Sequence, residues 1–205
     1  MTILLTTALV SLLTACGAEP QQQAQEQPAA AHVIAPESAA AAQKGQQAYE
    51  AFQYDAAIAY YDRALAEDDR NDEALAGKGI ALAMRGNETG SQQDKDEALT
   101  LIKESLALNA DNTAAFYDLA LAYKINGQYE EAERWFKKVI EKEPDNTWSY
   151  YGIATIYGDL GKADAAVFYL EKAITYGGDA VKDAARSQHH FDAVRSNAAF
   201  RELIR

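Results

Sequence analysis

Apolar residues at Phe116, Leu119, Ala120 and Tyr123 have the i, i+3, i+4, i+7 spacing of one helical face. The face returns 34 residues later at Tyr150, Ile153, Ala154 and Tyr157. The same interval links Ala98, Ala132 and Ala166, then Ile102, Phe136 and Leu170, then Leu106, Ile140 and Ile174. Earlier in the chain the matching positions stand 41 apart (Ala57 to Ala98, Leu65 to Leu106), which predicts a seven-residue insertion in the polar stretch 87–93. Gly127 and Gly161 share the period and predict helix stops, because glycine tolerates a left-handed φ. Pro144 presets the turn between two units. Alanines at 120, 132, 154 and 166 predict close approach of paired helices. A single hairpin cannot bury its own apolar face, so the units must stack.

This 34-residue helix–turn–helix pattern resembles the tetratricopeptide repeat. The best-matching unit carries Phe116, Leu119, Ala120, Tyr123, Gly127, Tyr129, Ala132, Phe136, Val139, Ile140 and Pro144 where that family places such residues. The resemblance implies an all-α, right-handed α-solenoid of about four repeats, at 38–71, 72–112 (insertion 87–93), 113–146 and 147–180. Residues 181–205 resemble a C-terminal cap, with Phe191, Val194, Phe200, Leu203 and Ile204 as apolar anchors. In this family the first helices line a concave groove that holds a segment of a partner protein. On that resemblance the groove residues are Tyr49, Ile80, Met84, Tyr117, Leu121, Lys124, Ile125, Trp148 and Tyr151. Aromatic anchors and a flexible methionine suit peptide recognition. Family members that clamp a C-terminal carboxylate use Lys, Arg and Asn. Here Gln46, Ala114 and Asp118 stand at inward places, with Lys124 the exception, so an apolar or basic partner segment is expected instead.

The amino terminus reads as an address. Residues 3–13 are an uncharged apolar run of signal-peptide length, and as a helix Met1–Ala15 would reach only about 22 Å, short of a bilayer core. The run ends in Leu13-Thr14-Ala15-Cys16-Gly17, which resembles the lipobox of bacterial lipoproteins. That resemblance implies cleavage after residue 15 and a covalent lipid on Cys16 as membrane anchor. Gly17 in the following position implies sorting to the outer membrane, facing the periplasm. The first basic residue is Lys44, so a charged n-region is expected upstream of Met1. Residues 16–37 are rich in Ala and Gln, contain Pro20, Pro28 and Pro36, and read as a disordered tether.

Composition narrows the function classes. Thirty-one acidic against 19 basic residues give a net charge of -12, which disfavours nucleic acid as a partner. One cysteine excludes an internal disulfide framework. No phosphate loop, nucleophile elbow or zinc motif occurs, so no catalytic residue, no metal and no cofactor beyond the lipid on Cys16 is expected. His32 falls in the tether. Neighbouring His189 and His190 should point away from each other on a helix and serve the surface or the cap. Acidic runs such as Glu67-Asp68-Asp69 and Asp94-Lys95-Asp96-Glu97 read as solvated faces. The expectation is an adaptor that recruits a protein of an envelope complex to the membrane, in pilus or secretion machinery, outer-membrane protein insertion or cell-wall synthesis. The rival is a self-associating structural lipoprotein, a homo-oligomer through the same groove.

Overall fold

Asparagine opens three of the repeats. The side chains of Asn71, Asn112 and Asn146 accept hydrogen bonds of 3.0, 3.1 and 3.0 Å from the backbone N–H groups of Ala74, Ala115 and Ser149. Each satisfies a donor that a helix start leaves unpaired. Asn71 does more: its amide donates to Ser38 Oγ at 2.8 Å, and Ser38 donates to the Ala64 carbonyl at 2.7 Å. Both side chains are fully buried, so this network ties the first three helices together without leaving a polar atom dry.

The computed structural model describes residues 32–205; the apolar run, Cys16 and the tether up to residue 31 lie outside them. Nine α-helices follow among the described residues: α1 (Pro36–Glu50), α2 (Tyr54–Glu67), α3 (Asp72–Thr89), α4 (Gln92–Leu108), α5 (Thr113–Ile125), α6 (Tyr129–Lys142), α7 (Thr147–Asp159), α8 (Ala163–Ser187) and α9 (Ala198–Leu203). A single 3-10 turn, His189–Phe191, precedes α9. Consecutive helices pack as antiparallel pairs, and α1, α3, α5 and α7 also touch one another in series. The first helices therefore form one layer and the second helices another, the stacking of an α-solenoid.

The pairing positions are filled as the period requires. Ala57, Ala98, Ala132 and Ala166 on the second helices have no exposed surface, and neither do Ala120 and Ala154 on the first. Beside them Tyr61, Ile102, Phe136 and Leu170 occupy one repeated buried position. One core cluster runs from α1 into α7, and a second joins α7 and α8 to Phe191, Val194 and Phe200.

The insertion takes a definite form, and two departures from the sequence reading have physical causes. The insertion is largely helical: α3 continues past Gly86 to Thr89, and the left-handed stop moves to Gly90 at φ 77°. Pro36, read as part of the tether, instead stands at the start of α1, where its missing N–H is no loss. The acidic runs are not all solvated. Asp68 accepts from the Ala35 N–H at 3.0 Å, and Asp94 pairs with Arg85 at 2.7 Å, which also reaches Asp55 at 2.9 Å. A break at Gly178 (φ 61°) divides α8 between the fourth pair and the cap.

Counting back from Gly127 by one 41-residue and one 34-residue step reaches Phe52. It holds φ 58°, the left-handed conformation that Gly127 and Gly161 hold at φ 73° and 67°. A bulky side chain there is strained, and the ring is largely exposed, so packing returns little. Phe52→Gly is expected to raise stability by about 1 kcal/mol, a shift of roughly 2–4 °C in melting temperature for a domain of this size. Thermal unfolding followed by circular dichroism checks it; an unchanged or lowered midpoint would contradict the strain.

Candidate binding groove

The first-helix layer carries two recesses. The N-terminal one, of about 490 Å³, lies between α1, α3 and α5 and is lined by Gln46, Tyr49, Tyr61, Glu73, Ile80 and Asp118 among others. Its floor depends on two glycines: a Cβ on Gly45 or Gly77 would come within 2.7 or 2.3 Å of the Tyr61 ring. Their absence of side chain lets that ring lie flat between helices, where its hydroxyl donates to Gln46 Oε1 at 3.2 Å.

The second recess, of about 450 Å³, lies between α3, α5, α7 and the 3-10 turn. Met84, Tyr117, Leu121, Lys124, Ile125, Trp148 and Tyr151 all line it. Seven of the nine expected groove residues thus meet in one cavity, while Tyr49 and Ile80 line the other. Ile80 is only 3% exposed and forms floor, not open contact surface. Trp148 is half exposed and meets Tyr151 edge-on, with ring centroids 5.7 Å apart. The Tyr151 hydroxyl is shielded from solvent and has no hydrogen-bond partner among the described residues.

Sequence reading missed the part played by the cap. His189 and His190 sit in the 3-10 turn with ring centroids 4.2 Å apart, so they do not point away from each other as a long helix would have required. His190 reaches into the second recess. Its Nδ1 lies 2.8 Å from an Asp159 carboxylate oxygen, and its Nε2 lies 3.2 Å from Lys124 Nζ. The Nδ1–H tautomer satisfies both contacts: it donates to Asp159 while Nε2 accepts from the ammonium. Gly158 permits this approach, since a Cβ there would meet the His190 carbonyl oxygen at 2.4 Å. Lys124, the one cation expected on the groove, is therefore already engaged. Burial lowers its pKa to about 8 against the opposing pull of Asp159.

Burial and the neighbouring Lys124 ammonium hold the His190 pKa below its ordinary value, although Asp159 pulls the other way. Protonation would place an N–H against the Lys124 ammonium. A depressed imidazole pKa favours folding while the ring is neutral, so this contribution is full above about 6.5 and is lost as pH falls below it. Denaturant titrations at pH 7.5 and 5.5 should show the wild type losing more stability on acidification than His190→Gln. Parallel losses would remove the pH role assigned to this ring.

Asp118 faces the first recess and makes no hydrogen bond or ion pair among the described residues. Burial pushes its carboxyl up to about 7. Among the described residues no group of three or more His, Cys, Asp or Glu is placed to hold a metal, and no helix is long and apolar enough to cross a membrane.

Sequence profiles of the tetratricopeptide repeat match residues 42–91, 113–146 and 135–168. No curated protein matches the chain. Among solved structures, MamA 41-end from Desulfovibrio magneticus RS-1 is 18% identical with a TM-score of 0.60, over 84% of this chain and 96% of that one. YrrB, described as a TPR protein with an unusual peptide-binding site, is 15% identical with a TM-score of 0.51, over 80% of this chain and 88% of that one. A Thermobaculum terrenum O-GlcNAc transferase mutant is 20% identical with a TM-score of 0.59, over 67% of this chain but 26% of its own. At such identities these structures speak for the fold alone. The profile matches, the repeated alanines and the paired-helix stack together identify the chain as a member of the tetratricopeptide repeat family, a protein–protein interaction scaffold.

Proposed function

We propose that the chain is a lipid-anchored adaptor that holds a segment of a partner protein in its first-helix groove, without catalysing a reaction. The observation that carries the binding role is the second recess. There Met84, Tyr117, Leu121, Trp148 and Tyr151 converge on one cavity, with the Trp148 ring half exposed at its edge. Convergent aromatic anchors beside a flexible methionine are what a recognition site needs. The address is read from the apolar run 3–13 and Leu13-Thr14-Ala15-Cys16-Gly17: a lipid on Cys16, the outer membrane and a periplasmic face. Recruitment within an envelope complex, in pilus or secretion machinery, protein insertion or cell-wall synthesis, follows from that address.

Photoreactive residues introduced at Tyr117 and Tyr151 in intact cells test the groove. Capture of a distinct envelope protein at both positions supports the adaptor, while capture of a second copy supports self-association instead. Failure of both positions to capture any protein would overturn the reading. Cys16→Ala should abolish fatty-acid labelling and release the protein from membranes; retained labelling would overturn the anchor.

A further inference from the structure

The carboxylates of the described residues are not alike. Asp159 is held by His190, and Asp94 and Asp55 are held by Arg85. Asp118, on α5, has no such partner among the described residues, and it is recessed where a carboxylate loses much of its hydration. The side chains lining its cavity include a second carboxylate, Glu73, but no Lys, Arg or His. An acidic recess with no cation of its own raises the energy of the unliganded chain, and an opposite charge from outside would offset that.

The walls fit the same ligand. Tyr49 from α1 and Tyr61 from α2 line the cavity beside Asp118. Tyrosine faces attract ammonium and guanidinium groups, and the attraction grows as water is excluded. Gly45 and Gly77 pack directly on the Tyr61 ring, which is buried and forms the floor of the recess, while Tyr49 is only half-buried and stands at its side. The repeat places Gln43, Gly77 and Gly152 where Asp118 stands in the third unit, so this carboxylate occurs once along the groove.

We propose that the N-terminal recess seats a Lys or Arg side chain of the partner segment, with Asp118 as its counter-charge, Tyr49 as its aromatic wall and the buried Tyr61 as its floor. The inference rests on the groove reading above and names the partner's chemistry: a basic residue for the first recess, apolar residues for the second. Asp118 titrates near neutrality in the free chain. The groups facing it are Tyr49 from α1, Tyr61 from α2, Glu73 from α3 and Tyr117 from α5, and none of them supplies a positive charge. A cation binds the ionised form, so affinity for a basic peptide should rise about tenfold between pH 6 and pH 8.

The probe is a phage-displayed library of random peptides of about 12 residues selected on the full chain, a length that spans roughly 40 Å when extended. Recovered peptides should share a Lys or Arg near apolar residues. Asp118→Asn should weaken them roughly tenfold or more and flatten their pH dependence, with Trp148→Ala as the control for the second recess. Peptides that need Trp148 but show no basic preference, or whose basic preference survives Asp118→Asn, would overturn the cation seat and leave the groove standing. Recovery of no peptide, or only of peptides indifferent to both substitutions, would overturn both.

Discussion

Alanine at Phe191 is expected to destabilise the chain by about 3–5 kcal/mol, with the loss concentrated in the C-terminal cap. The ring is fully buried, 5.2 Å from Phe200 and 5.9 Å from Tyr151 between ring centroids. Its removal leaves a void that the short 3-10 turn and the six-residue α9 cannot collapse to fill. The next consequence is functional. Phe191 fixes His190 over the second recess, so its loss should release Lys124 and Asp159 from the imidazole. Amide hydrogen exchange would show protection lost across residues 188–205 and retained in α3 and α4. An even loss along the chain, or a change under 1 kcal/mol, would contradict the role given to this ring. Gly158→Ala should mimic the detachment from the opposite side, because its Cβ would push on the His190 carbonyl.

Asp118→Asn is expected to stabilise the protein above neutral pH while weakening recognition of basic peptides. The carboxyl is raised from 3.8 to about 7 by burial. A raised carboxyl favours folding in its protonated form, so its contribution is present below pH 3.8 and lost as pH rises through about 7. At 1.36 kcal/mol per unit, a shift of about three units sets a ceiling on the order of 4 kcal/mol, and residual contact with water brings the expected gain to between about 1 and 3 kcal/mol. Asparagine keeps the shape and removes the charge. Chemical denaturation at pH 8 should show that gain, and the difference should vanish near pH 4. A variant less stable than wild type at pH 8 would contradict an unpaired carboxylate at this position. Stability surrendered at a binding surface is a common pattern in proteins that must leave a group unpaired for a ligand.

The helices and their pairing were legible in the residues because two periods coincide: 3.6 residues along each helix and 34 between units. The alanines at 57, 98, 132 and 166 announce close contacts, and every one is fully buried. The asparagine caps at 71, 112 and 146 lie on the same long period and could have been read from it; attention to apolar positions hides them. Phe52 was equally countable, but a phenylalanine at a glycine position does not by itself show whether the backbone keeps its conformation or abandons it. His190 was beyond reach. It lies outside the repeat, and its direction is set by a short turn whose geometry depends on Phe191 packing against Gly158. For Asp118 the inward direction was readable from the family pattern. Its isolation was not, because it depends on which side chains four different elements bring to one recess.

The lengthened α3 has a consequence for how the chain reaches its native state. Ten of its 18 residues are buried, more than in any neighbouring helix, and the insertion gives it an extra turn against α4. In a linear array each unit is stabilised by its neighbours, so order begins where local and interfacial terms are both largest and spreads outward. Folding is therefore expected to start in the α3–α4 hairpin, whose contacts are close in sequence and leave little loop entropy to overcome. The strained corner at Phe52 and the break at Gly178 then mark where the ordering front meets resistance on either side, and the outermost units are the ones that open first on heating.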